Sequence, residues 1–136
     1  MANKKIQDVE GIGPVIGEKL QSAGISDTDT LLAQAQTPAQ RRALATKADL
    51  TEKEILKFAN MVDLYRISGV GSEYAQLLEA AGVDTVPELA RRRADNLSTA
   101  MTELNATKKL VRRVPTEAEV AKWVDQAKDL PRMLEY

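Results

Sequence analysis

The sequence predicts an all-α fold, built from tandem repeats of helices packed around a shared core. Three observations lead there. Apolar residues recur at helical spacing, no stretch alternates with period two, and one Gly-x-Gly pattern occurs twice in the same helical setting.

The repeat organises everything else. A shift of 58 residues superposes Val9 on Ile67, Gly11 on Gly69, Gly13 on Gly71, Leu20 on Leu78, Ala23 on Ala81, Gly24 on Gly82 and Leu31 on Leu89. A shift of 65 aligns a second block, in which Thr51 meets Thr116, Glu54 meets Glu119, Lys57 meets Lys122 and Phe58 meets Trp123. The second copy therefore gains seven residues between the two blocks. The duplication sets the domain organisation: residues 1–66 form the first repeat and 67–136 the second. The helix opened at Thr51 runs almost directly into the second Gly-x-Gly turn. With no flexible linker there, the two repeats are expected to pack as one compact unit.

The elements follow in order. Pro14 suits the first turn of a helix, where its missing N–H costs nothing. Ile16, Leu20 and Ala23 make one stripe, and Gly24 supplies a left-handed residue to end it. Thr28 is the expected cap of a short helix holding Leu31 and Leu32. Thr37-Pro38 opens a helix carrying Arg41, Arg42 and Leu44. Thr51-x-x-Glu54 is a capping box, in which hydroxyl and carboxylate each satisfy an orphan amide. Ile55, Phe58, Val62 and Tyr65 follow it at helical spacing. In the second copy, Tyr74, Leu77, Leu78 and Ala81 form a stripe ended by Gly82. Thr85-Val86-Pro87 starts a short helix with Leu89, and Leu97, Met101 and Leu104 mark the next. Thr116-x-x-Glu119 repeats the capping box ahead of Val120, Trp123, Val124 and Ala127.

Composition narrows the function classes. Of 136 residues, 43% are apolar but only 4% aromatic, so the core must be mainly aliphatic. Cysteine is absent, which excludes disulfides, thiolate metal sites and cysteine nucleophiles. Histidine is absent too, removing the commonest general base and metal ligand. Acidic residues form no cluster resembling a metal site, and no phosphate loop of the G-x-x-x-x-G-K-[ST] type occurs. A non-enzymatic protein without a cofactor is the expectation. No stretch approaches the roughly 20 apolar residues of a membrane span, and Met1-Ala2-Asn3-Lys4-Lys5 lacks the apolar run of a signal peptide. A cytoplasmic location without membrane contact follows as the simplest expectation. The formal net charge is −1, which gives no overall basic excess for nucleic acid, although a local patch remains available.

A Gly-x-Gly turn at a helix start has a specific use. Without Cβ atoms the backbone approaches a ligand closely, and the free amides at the positive end of the helix dipole attract an anion. Val9-Glu10-Gly11-Ile12-Gly13-Pro14 with Leu20 resembles the helix–hairpin–helix motif, and Ile67-Ser68-Gly69-Val70-Gly71-Ser72 with Ala75 and Leu78 is similar to it. Nearly the full chain resembles an uncharacterised bacterial family of duplicated helix–hairpin–helix-like domains. The resemblance implies backbone-directed, sequence-independent nucleic-acid binding, with Gly11, Ile12, Gly13, Gly69, Val70 and Gly71 offering amides to phosphate and Ser72 its hydroxyl. Members that bind backbone commonly place Lys or Arg just after the hairpin. This chain has Val15 and Glu73 there, while Lys19 follows Glu18 in the first copy. The other reading of the same turn is a tight inter-helix joint, with Ile12 or Val70 plugged into the core.

The strongest basic feature lies between Arg91 and Arg113. Arg91, Arg92, Arg93, Lys108, Lys109, Arg112 and Arg113 are opposed only by Asp95 and Glu103, a net of +5. The segment could line a phosphate backbone in a salt-dependent way. It could equally complement a helix C-terminus at Arg91–Arg93 and form a solvated loop at Lys108–Arg113. Arg41 and Arg42 fit an exposed helix face. Trp123 and Phe58 fit the core better than base stacking, whereas Tyr65 and Tyr74 are candidate half-exposed contacts for a partner. The preferred expectation is a non-catalytic module contacting nucleic acid. The alternative is a protein–protein interaction or scaffold module of the same fold, and the sequence leaves the oligomeric state open.

Overall fold

Eight α-helices and one 3₁₀ turn supply the regular structure of residues 3–136, the residues described by the computed structural model. Among them there is no β-strand, only an isolated antiparallel bridge between Lys5 and Asp27. Met1 and Ala2, the start of the stretch read above for a leader, lie outside the described residues. The chain forms two compact units. One runs to Asp63 and takes in Met133–Tyr136; the other is Leu64–Arg132.

In the first unit, the 3₁₀ turn Ile6–Asp8 precedes α1 (Pro14–Ser22), α2 (Thr28–Gln34), α3 (Pro38–Ala48) and α4 (Glu52–Leu64), whose last residue belongs to the second unit. Local chemistry sets these boundaries. Pro14 opens α1, and Gly24 follows its end at φ 90°. The Thr37 hydroxyl accepts from the Gln40 amide while the Gln40 side chain accepts from the Thr37 amide. Thr51 and Glu54 make the same reciprocal pair at α4. The cap of α2 is Asp27, one residue before the expected Thr28. Thr28 is instead buried, where its hydroxyl accepts from the Lys4 amide and donates to Asn3 Oδ1. Ile6, Leu20, Ile25, Leu31, Leu32 and Ile55 are fully buried, each stabilising the fold by roughly 1.5–3 kcal/mol relative to exposure.

Arg41 departs from the exposed face expected of it. It is 4% exposed, and its guanidinium donates to the carbonyls of Ala35 and Glu135. Two neutral carbonyls thus replace the water a buried cation would otherwise need. Arg42 stays exposed and pairs with Glu52 at 3.4 Å.

The second unit contains α5 (Ser72–Ala80), α6 (Val86–Ala90), α7 (Ala94–Lys108) and α8 (Glu117–Asp129). Thr85 caps α6 by accepting from the Glu88 amide, and Thr116 with Glu119 forms the box that starts α8. Gly82 follows α5 at φ 90°. Helix α8 packs against both α6 and α7, and α5 against α7. Leu77, Leu78, Leu89, Leu97, Met101, Val120 and Trp123 are buried among these helices. The loop after α7 begins with Lys109 in the left-handed region, at φ 51°. Asn105 grips that loop with both arms of its amide: Nδ2 donates to the Val111 carbonyl at 3.1 Å, and Oδ1 accepts from the Val111 amide at 3.0 Å.

Candidate functional site

The two hairpins share a backbone plan. The Ile12 amide donates to the Val9 carbonyl at 3.1 Å, and the Val70 amide donates to that of Ile67, also at 3.1 Å. Each bond closes a four-residue turn. Gly11 (φ 87°) and Gly69 (φ 94°) occupy the third position, where a type II turn needs positive φ. Ile12 and Val70 point inward and are 4% and 5% exposed. Their amides are therefore spent inside the turns, leaving the flanking glycines to offer donors.

Helices α1 and α5 then begin at Gly13 and Gly71, residues with no side chain to cap them. In the first unit, the Gly13, Val15 and Ile16 amides precede the first helical bond, from Gly17 N to the Gly13 carbonyl at 2.8 Å. Pro14 contributes no donor. No acidic residue stands in the first turn of α1, and Gly11, Gly13, Pro14 and Val15 are all exposed. In the second unit, the first helical bond of α5 runs from Ala75 N to the Gly71 carbonyl at 2.9 Å, and Glu73 sits in the first turn.

Side chains distinguish the two turns more sharply. An ideal Cβ at Gly11 would lie 3.7 Å from Phe58, whereas one at Gly69 would lie 3.1 Å from Trp123 Nε1. The Ser68 amide donates to Gln126 Oε1 at 2.8 Å. The Ser72 hydroxyl, a candidate phosphate donor, shares a 2.8 Å hydrogen bond with the Tyr65 hydroxyl. Tyr65 is buried, not half-exposed as expected. Tyr74 is half-buried; its ring lies 5.3 Å from that of Trp123, and its hydroxyl donates to the Arg113 carbonyl.

The cations are largely committed as well. Lys19 Nζ donates to the Asp49 carbonyl at 3.1 Å and lies 3.5 Å from its carboxylate. Arg92 donates to the Gly82 carbonyl and to Glu88, which also faces Arg91 at 3.9 Å. Arg93 pairs with Asp95 at 2.9 Å. Arg113 clasps both oxygens of Glu119, at 2.8 and 3.0 Å. That clasp, together with the Thr116 amide, holds the Glu119 carboxyl down at about 2 and raises Arg113 above the ordinary arginine value. Lys108, Lys109 and Arg112 are exposed and make no ion pair among the described residues. Sequence reasoning missed Glu88 and Glu119 as partners because they lie outside the basic segment. It also missed Gln126 and Asn105, which carry no local motif.

Among the described residues, no group of three or more acidic side chains could hold a metal ion, and no helix is long and apolar enough to cross a membrane. Residues 10–130 match the family model described as "Domain of unknown function (DUF4332)", and the chain belongs to that family. No curated protein and no solved structure matches the chain.

Proposed function

Starting from a family that carries no assigned activity, we propose that the protein is a non-catalytic module that contacts nucleic-acid backbone without reading sequence. In this reading the two units are copies of one helix–hairpin–helix-like block. Support comes from the matched pairs: Gly11 and Gly69 in the turns, Gly13 and Gly71 at the helix starts, Phe58 and Trp123 against the turn glycines. The observation carrying the functional reading is the open start of α1. Helices α2, α3, α4, α6 and α8 have a first-turn amide taken by Asp27, Thr37, Thr51, Thr85 and Thr116; α1, α5 and α7 have no such side-chain cap, and of these three only α1 has no acidic residue in its first turn beside the unbonded Gly13, Val15 and Ile16 amides. Open amides at a positive helix end favour an oxyanion. In the second unit, Lys108, Lys109 and Arg112 are exposed and offer positive charge of their own to a phosphate backbone.

A salt titration with generic duplex DNA tests the reading. Affinity should fall steeply as salt rises. Placing a cation beside the open amides, Val15→Lys, should tighten binding several-fold. Lys109→Ala with Arg112→Ala should weaken it and reduce the salt slope by about 2, one for each lost phosphate contact. No binding even at low salt defeats the proposal. Val15, 68% exposed in the first turn of α1, favours the second reading, a protein-interaction module. That reading requires a protein partner whose capture is lost on Val15→Asp and is insensitive to added DNA.

A further inference from the structure

Trp123 lies against a turn glycine in the second unit as Phe58 does in the first. The residue is 3% exposed, yet its one polar side-chain atom faces the turn. An ideal Cβ on Gly69 would lie 3.1 Å from Nε1, whereas the atom that meets Gly11 is a Phe58 ring carbon at 3.7 Å. Among the described residues, every buried side-chain nitrogen and oxygen has a hydrogen-bond partner. Nε1 has no partner there, so it must sit at the solvent edge of an otherwise buried ring. A buried indole ordinarily gives its N–H to an acceptor within the fold. This one opens beside Gly69, which is itself exposed.

The surrounding residues hold that N–H in place. Tyr74 packs on the indole with ring centroids 5.3 Å apart, and its hydroxyl is tied to the Arg113 carbonyl at 2.9 Å. The same bond brings the loop carrying Arg112, an exposed cation with no ion pair among the described residues, next to Tyr74. On either side of the spent Val70 amide, the Gly69 and Gly71 amides donate to nothing within the described chain, and a Cβ on Gly71 would meet no atom within 4 Å. An indole N–H never accepts, so its ligand must. A ligand suited to several N–H groups near a guanidinium carries lone pairs on more than one oxygen and a negative charge. Glu73, exposed in the first turn of α5, is the one carboxylate there to oppose it. Resting on the backbone-binding reading above, we infer that the Trp123 indole N–H is the second unit's contact to a phosphodiester oxygen, with the Gly69 and Gly71 amides beside it.

The chain has a single tryptophan, so its indole N–H gives one resonance in NMR of the isotope-labelled full chain. In the free protein that proton should exchange with water as an unpaired, solvent-facing one does. Slow exchange would reveal an internal partner and overturn the inference. Titration with a short duplex DNA at low salt should move the indole proton downfield in step with binding, followed in parallel by fluorescence anisotropy of the labelled duplex. Binding should also slow the exchange, and added salt should reverse both effects. A duplex that binds and leaves the indole resonance in place overturns this contact while the functional reading stands. A duplex that does not bind at low salt overturns both. Trp123→Phe keeps an aromatic ring and removes the N–H. It should weaken binding about tenfold, as losing a hydrogen bond to a charged group does, and leave the salt slope unchanged because no cation is lost. Unchanged affinity in a folded variant overturns the inference. If the variant fails to fold, the wild-type titration decides alone.

Discussion

At the first hairpin, Gly11 bends the chain beside Phe58, and the amides that follow face water with no carboxylate in the first helical turn. At the second, Gly69 makes the same bend against the Trp123 indole, Gln126 takes the Ser68 amide, Tyr65 takes the Ser72 hydroxyl, and Tyr74 bridges Trp123 to the Arg113 carbonyl. One backbone plan therefore stands in two surroundings. Side chains take up the Ser68 amide and the Ser72 hydroxyl at one glycine-pinched turn and leave the amides after Gly11 unbonded at the other, and the glycines decide neither.

The largest effect expected from that contrast is at the aromatics. Trp123→Ala should cost about 3–5 kcal/mol in urea unfolding, as large-to-small core changes do. It should exceed Phe58→Ala, because the Tyr74 ring contact, about 0.5–1.5 kcal/mol, goes with it. Equal losses would mean that the Tyr74 contact adds nothing. Next come the turn glycines. Gly11→Ala should lose about 1–2 kcal/mol from the left-handed backbone alone. Gly69→Ala should lose more, since Trp123 must also give way. A smaller loss at Gly69 would show that the indole is not fastened there. Gln126→Ala should cost only about 0.5–1.5 kcal/mol, because the Ser68 amide it abandons is exposed and returns to water. It should leave DNA affinity unchanged if the second hairpin is a joint; a clear gain in affinity would restore that hairpin as a donor surface.

The capping boxes differ in the same direction. The Glu54 carboxyl is lowered by the Thr51 amide and hydroxyl, whereas Glu119 has Arg113 as well and lies at about 2 against an ordinary 4.5. A depressed carboxyl contributes stability that is fully present above its unfolded value and fades as pH falls through the folded one. Thermal melts between about pH 5.5 and pH 2 should therefore decline toward acid, and Glu119→Gln should flatten that decline more than Glu54→Gln. Indistinguishable slopes would place the Arg113 clasp outside the stability of the fold.

Much of the fold was legible because its signals are local. A capping box joins residues three apart, so Thr51 with Glu54 and Thr116 with Glu119 can be read without knowing where the chain goes next. The α2 cap was misread by one residue because Asp27 and Thr28 are both competent caps; burial of the threonine hydroxyl against Asn3 and Lys4 settles the choice. The candidate site was less legible. Counting charge only from Arg91 to Arg113 stops short of Glu88, four residues before Arg92, and Glu119, six after Arg113, which pair with them. Burial of Arg41 depends on a carbonyl 94 residues away, a distance no pattern in the sequence spans.

The amide of Asn105 has a consequence for how the molecule ages. Its donor arm meets the Val111 carbonyl and its acceptor arm meets the Val111 amide, so the two ends of one planar group are not interchangeable. Deamidation would turn the donor nitrogen into an acceptor oxygen facing another oxygen. A single-atom lesion on α7 would thereby unlatch the segment that carries Lys109 and Arg112, and add a negative charge beside them.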